Sequence, residues 1–114
     1  MQVVYHANYF VWFEVGRCEL LRSVGWSYRD LEATGVLLPV IDAHCEYRRS
    51  ARYDDDLMVV THGRLLSPAR VQFEYEVHRT ADAVVTAIGS TVHAAVNAQG
   101  RPTRLPAPIK EMLA

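Results

Sequence analysis

The chain has 114 residues, half of them hydrophobic and 22% charged, which is the size and composition of one folded domain and excludes a disordered or low-complexity polymer. Its net charge of −1 supplies no general positive field for nucleic acid or an anionic membrane, so any phosphate contact has to be local. No apolar run approaches the ~20 residues of a membrane span, and His6, Asn8, Glu14 and Arg17 fall where a secretory signal is apolar, so a cytoplasmic location is expected.

In chain order, residues 9–24 predict one long amphipathic helix. Phe10, Phe13, Leu20, Leu21 and Val24 recur near three- and four-residue spacing, while Glu14, Arg17, Glu19 and Arg22 fall largely elsewhere. Asn8 is the expected cap at its start and Gly25 the stop at its end. Gly16 costs about 1 kcal/mol relative to Ala inside a helix, which points to close approach of a packed sheet. Residues 27–34 predict a short second helix, capped by Ser27 and ended by Gly35.

After Gly35 the period changes from helical to alternating. Leu37, Pro39, Ile41, Ala43, Cys45 and Tyr47 form one face of a first strand, opposite Asp42, His44, Glu46 and Arg48. Pro39 places that strand at an edge or at its own start, because proline cannot donate to a ladder. A second strand over residues 57–66 follows Asp54-Asp55-Asp56 and turns at Ser67-Pro68-Ala69 into a third. There Val71, Phe73, Tyr75 and Val77 alternate with Gln72, Glu74, Glu76 and His78, one buried face against one polar face. A fourth strand covers 84–96 after a turn at Ala81-Asp82, and the proline-bearing tail ends in a helical turn near 109–113. The layout is α+β in a single domain, residues 1–114.

Chemistry-bearing residues are sparse. Cys18 and Cys45 lack the paired spacing of a zinc site or disulfide framework and read as reduced core thiols. His44, His62 and His78, with Glu46, have only the spacing of outward-facing strand positions, so no metal site is assigned. No Gly-rich phosphate loop, dinucleotide fingerprint or nucleophile elbow is present, and no cofactor is expected. Glu14 and Arg17, three apart on the helix, predict an ordinary ion pair, with Glu14 as a weaker candidate acid. Arg48, Arg49 and Arg52 are local cations suited to phosphates, with a solvated strand end as the bland alternative; Arg64 and Arg70 are weaker candidates.

The run Val3-Val4-Tyr5-His6-Ala7-Asn8-Tyr9, followed by Phe13-Glu14, Arg17 and Glu19-Leu20-Leu21, resembles the N-terminal signature of acyl-CoA thioesterases of the 4-hydroxybenzoyl-CoA thioesterase type. The resemblance extends through Gly35-Val36 into the strands. It implies a hotdog fold, an antiparallel sheet wrapped around the long helix, working as a homodimer or a dimer of dimers on an acyl-CoA substrate. It also implies that the backbone N–H of His6 points at the thioester oxygen. The His6 imidazole then orients water or a carboxylate, or simply shapes the turn. Asn8 caps the helix or orients substrate, and Tyr5, Tyr9 and Phe13 line an acyl pocket or pack the core.

One part of the signature does not match. The family's turn reads Asp, two residues, Gly, an apolar pair, then Tyr-His-Ala-Asn-Tyr; here Gln2 stands in place of the glycine, and the acidic residue would lie two positions before Met1. The catalytic carboxylate and the first sheet strand are therefore expected upstream, on a longer form of the protein. The alternative is a module that binds acyl-CoA or an acyl carrier without hydrolysing it.

Overall fold

The computed structural model describes residues 7–49 and 55–113, with side chains from Tyr9 onward. Helix α1 spans Ala7–Arg22 and α2 spans Tyr28–Ala33; strands β1 (Val40–Tyr47), β2 (Leu57–Ser67), β3 (Arg70–Arg79) and β4 (Val84–Ala94) follow, and α3 (Ala107–Leu113) closes the chain. The expected sequence of elements is thus present, with one shift at the start. Helix α1 begins two residues earlier than its period suggested, so Asn8 lies inside the first turn and is not the cap.

Both early helices end in the same way. Gly25 and Gly35 adopt positive φ, 81° and 87°, where a Cβ would be strained. Each lets the chain close a Schellman motif: Trp26 N–H reaches the Leu21 carbonyl at 3.1 Å, and Val36 N–H reaches the Leu31 carbonyl at 3.1 Å. Ser27 caps α2 as its sequence predicts, accepting from Asp30 N–H while the Asp30 carboxylate accepts from Ser27 N–H.

The four strands form one antiparallel sheet in the order β1-β4-β3-β2. Val71, Phe73, Tyr75 and Val77 of β3 are buried, as the alternation required, and lie on the face covered by Phe13 and Leu21 of α1 and by Ile109 and Leu113 of α3. Gly16 lets α1 settle on β2, where an added Cβ would overlap the Thr61 side chain; the close neighbour is a side chain rather than a backbone. Gly89 does the same for the Phe13 ring, which stacks on Tyr75 at 4.3 Å and 8°.

Strand β1 departs from the expected pattern. It is an edge strand, as Pro39 indicated, yet its apolar side chains are not covered: Val40 and Ile41 are about half exposed and Tyr47 is 40% exposed. Only Cys45 is half-buried along the strand. The reason is position: α1 and α3 pack chiefly over β2 and β3, on the other side of the sheet from β1.

Candidate active site

The start of α1 and the end of β1 meet. Tyr9, in the first turn, is buried; its ring stands edge-on to Tyr47, the last residue of β1, at 5.2 Å, and to Trp12 at 4.9 Å. Arg48 and Arg49 follow immediately, fixed by backbone N–H bonds to the Thr86 carbonyl at 2.9 and 3.1 Å. Two candidate groups, the helix start and the arginines, thereby share one end of the molecule. Arg48 is exposed and sits 3.8 Å from Glu46, while Arg49 is exposed and has no ion pair among the described residues. Tyr5, His6 and Arg52 lie outside the described residues, as does the side chain of Asn8.

Electrostatically this end favours anions. The first turn of α1 contains no acidic residue to offset the partial positive charge of its N–H groups. Phe13 is fully buried one turn further in, beneath Phe10, whose ring meets it edge-on at 5.7 Å. Tyr9 and Phe13 therefore form the floor of this region and also belong to the core.

The expected Glu14–Arg17 ion pair is absent. Glu14 is exposed, and the surface pair on α1 is Arg22 with Glu19 at 2.7 Å. Arg17 instead turns inward to 9% exposure, donating from Nε to the Tyr28 hydroxyl at 3.1 Å and from Nη1 to the Tyr75 hydroxyl at 3.1 Å. From Tyr75 the contacts continue to Thr91 Oγ1 at 2.6 Å, from Thr91 to His93 Nε2 at 2.9 Å, and from His93 Nδ1 to the Leu38 carbonyl at 2.9 Å. Sequence reasoning missed this network. Its one legible signal was His93 on the inward-facing side of β4, in step with Ala87 and Gly89.

Two surface depressions complete the description. A groove of about 710 Å³ runs between α1 and the outer edge of β2, lined by Trp12, Val15, Leu20, Met58, Val59 and Thr61 among others. Among the described residues strand β2 pairs with β3 alone, and its other edge, along this groove, has no strand partner. The opposite, polar face of the sheet carries a smaller hollow with His44, Glu46, His62 and Glu74. Among the described residues no group of three or more His, Cys, Asp or Glu is placed to hold a metal ion, and no helix is long and apolar enough to cross a membrane.

Known proteins share this architecture and sequence. An Aquifex aeolicus protein provisionally named an esterase is 34% identical over 111 residues, covering 97% of this chain and 84% of its own. A Bacillus subtilis protein provisionally named acyl-CoA thioesterase YneP is 46% identical over 61 residues, 54% of this chain and 44% of its own, so the match spans less than half of that relative. The solved structure of a DHNA-CoA thioesterase from Staphylococcus aureus superposes with a TM-score of 0.84 at 33% identity, covering 92% of this chain and 70% of that one. The family model of the thioesterase-like superfamily matches residues 1–114, and with the sheet wrapped on its long helix, the hotdog arrangement, this chain belongs to that superfamily.

Proposed function

We propose that the protein hydrolyses an acyl-CoA thioester to the free acid and CoA. The observation that carries this reading is the contact of Tyr9 with Tyr47, which sets the N-terminus of α1, with no acidic residue in its first turn, on the same end of the molecule as Arg48 and Arg49. In this reading water adds to the carbonyl carbon and gives up a proton to a carboxylate. The resulting oxyanion accepts a hydrogen bond from the backbone N–H of His6, strengthened by the helix dipole, and the C–S bond then breaks as CoA thiolate takes the proton back. Asn8 orients the substrate, Tyr5, Tyr9 and Phe13 border its acyl group, and Arg48, Arg49 and Arg52 receive CoA phosphates.

The carboxylate belongs to a segment upstream of Met1 in a longer form of the chain. The open edge of β2 and the groove beside it offer that segment backbone partners and apolar cover from Trp12, Val15 and Met58. The working unit is a cytoplasmic homodimer joined through β1, whose exposed Val40, Ile41 and Tyr47 flank a strand edge with no strand partner among the described residues, with a dimer of dimers as the larger form.

A second reading is a binding module that holds acyl-CoA without cleaving it; it needs the same helix start and arginines but no carboxylate. Thiol release from a panel of aliphatic and aromatic acyl-CoAs, for this chain beside an upstream-extended one, separates the two. Hydrolysis that rises with extension supports the enzyme. Acyl-CoA binding without hydrolysis by either form sinks it and leaves the module.

A further inference from the structure

We propose that Arg17 is a positioning residue, which sets the seat of α1 on the sheet through a one-directional chain of hydrogen bonds ending on the backbone that leads into β1. The consequence for catalysis rests on the hydrolase reading above; the structural part does not.

The direction of the chain follows from counting protons. Three contacts link four groups: Arg17 to Tyr75, Tyr75 to Thr91, and Thr91 to His93. Arginine can only donate and a carbonyl can only accept, so the two ends of the chain are fixed: Tyr75 Oη accepts from Arg17, and His93 Nδ1 carries a proton that it donates to the Leu38 carbonyl. In a neutral ring with its proton on Nδ1, 2.9 Å from the Leu38 carbonyl, Nε2 is bare and accepts from Thr91, which then accepts from Tyr75, so every hydroxyl proton is used within the chain. A second proton on Nε2 would make His93 the donor to Thr91 and turn one hydroxyl proton out of the chain, with all three contacts kept. Burial pushes the His93 pKa down, and the charge of Arg17 also lowers it against the opposing bond to Leu38, in agreement with the neutral form.

Arg17 itself is a buried cation that touches no carboxylate among the described residues, and its acceptors are two phenol oxygens. That arrangement is geometrically demanding, because the guanidinium fork has fixed donor directions. It also converges on a residue already held from another side: Phe13, four residues earlier on α1, lies flat on the Tyr75 ring whose hydroxyl Arg17 binds. Ring and hydroxyl together fix both the rotation and the depth of α1. Tyr9 and the helix start lie one further turn along the same rigid element, against Tyr47. The relay thus connects α1, α2, β3, β4 and the approach to β1 at one point, and that approach carries the proposed dimer edge.

The test uses Arg17→Met, Arg17→Lys, Tyr75→Phe and Thr91→Val in the full chain and in its upstream-extended form. Expected is a kcat lower by on the order of 10- to 100-fold, with KM within about threefold, in Tyr75→Phe and Arg17→Met, because small misplacement of reacting groups costs rates of that size. Arg17→Lys should recover part of it, having charge but no fork. In nuclear magnetic resonance spectra His93 should show a protonated Nδ1 and bare Nε2, and Tyr75→Phe should shift the amide resonances of Tyr9 and Phe10. Should Arg17→Met not fold, Tyr75→Phe, which removes one oxygen, decides. Variants that lose only thermal stability, with kcat and the helix-start resonances unchanged, overturn the proposal, as does a His93 protonated on Nε2. If the wild-type chain in both forms hydrolyses nothing, the hydrolase reading fails, while the resonances still decide the relay.

Discussion

Gly89→Ala tests the packing on which the candidate site stands. An ideal Cβ at position 89 would lie 2.5 Å from both Cε2 and Cζ of Phe13 and 2.8 Å from the His44 carbonyl oxygen on the neighbouring strand. Neither neighbour can yield easily, since the Phe13 ring is stacked on Tyr75 at 4.3 Å and His44 is paired in the β1–β4 ladder opposite Ser90. The cost should reach or exceed the top of the ~1–3 kcal/mol that overpacking a core typically incurs. For a domain of this size that is a fall in melting temperature of about 10 °C, at roughly 4 °C per kcal/mol. Gly100→Ala is the control: its φ of 78° carries a strain of about 1 kcal/mol, but nothing lies within 4 Å of its added Cβ. Paired thermal and urea unfolding of the two variants reads the difference directly. Gly89→Ala no more destabilising than Gly100→Ala would refute the claim that Phe13 is wedged against the β4 backbone.

Other outcomes follow from the same geometry. Because the His93 pKa is held below its unfolded value near 6.5, the unfolded chain binds a proton first; the stability it contributes is complete above about pH 6.5 and is lost as the pH falls from there toward the folded pKa. Arg17, Tyr28 and Tyr75 face this network from α1, α2 and β3, and none changes charge in that range. Urea midpoints at pH 7.5 and 5.0 should therefore diverge more for the wild type than for His93→Gln, and equal divergence refutes the assignment. Thr61 Oγ1 is buried without a hydrogen-bond partner among the described residues, so Thr61→Val should raise stability by about 1 kcal/mol in chemical denaturation; a loss would reveal a partner for that hydroxyl. Ile41→Asp, placing a charge on the exposed apolar side of β1, should shift sedimentation from dimer to monomer with the thermal transition nearly intact, and an unchanged assembly would move the interface elsewhere.

Elements whose signals are local were legible in the sequence. The alternation at Val71, Phe73, Tyr75 and Val77 names the buried face of β3 residue by residue, and Ser27 with Asp30 and Gly35 bracket α2 within a residue. Local logic failed where a distant partner decides. Arg17 and Glu14 have the spacing of an ion pair, but two tyrosine hydroxyls, one of them 58 residues away, draw the guanidinium into the core. The apolar side of β1 looked like a core face because period alone cannot say whether a helix covers it. Of the candidate site, the helix start was legible only as a resemblance, since a backbone N–H leaves no mark in residue chemistry. Arg48 and Arg49 were legible as cations, but their neighbourhood with Tyr9 depends on how Tyr47 meets the helix.

The strand order has a consequence for how the chain assembles in time. Strands β2, β3 and β4 follow one another as a meander whose turns close short loops, whereas β1, first of the four in the sequence, pairs with β4, the last. His44 must wait for Ser90, and that long loop closure comes late compared with the hairpins. During synthesis β1 therefore leaves the ribosome without its neighbour, an apolar strand held open until the final strand arrives. Its contacts should be the last in the sheet to form. If copies join through that strand, as proposed above, the last step of folding and the first step of assembly expose the same residues, so slow closure of β1 would set the window in which chains pair wrongly.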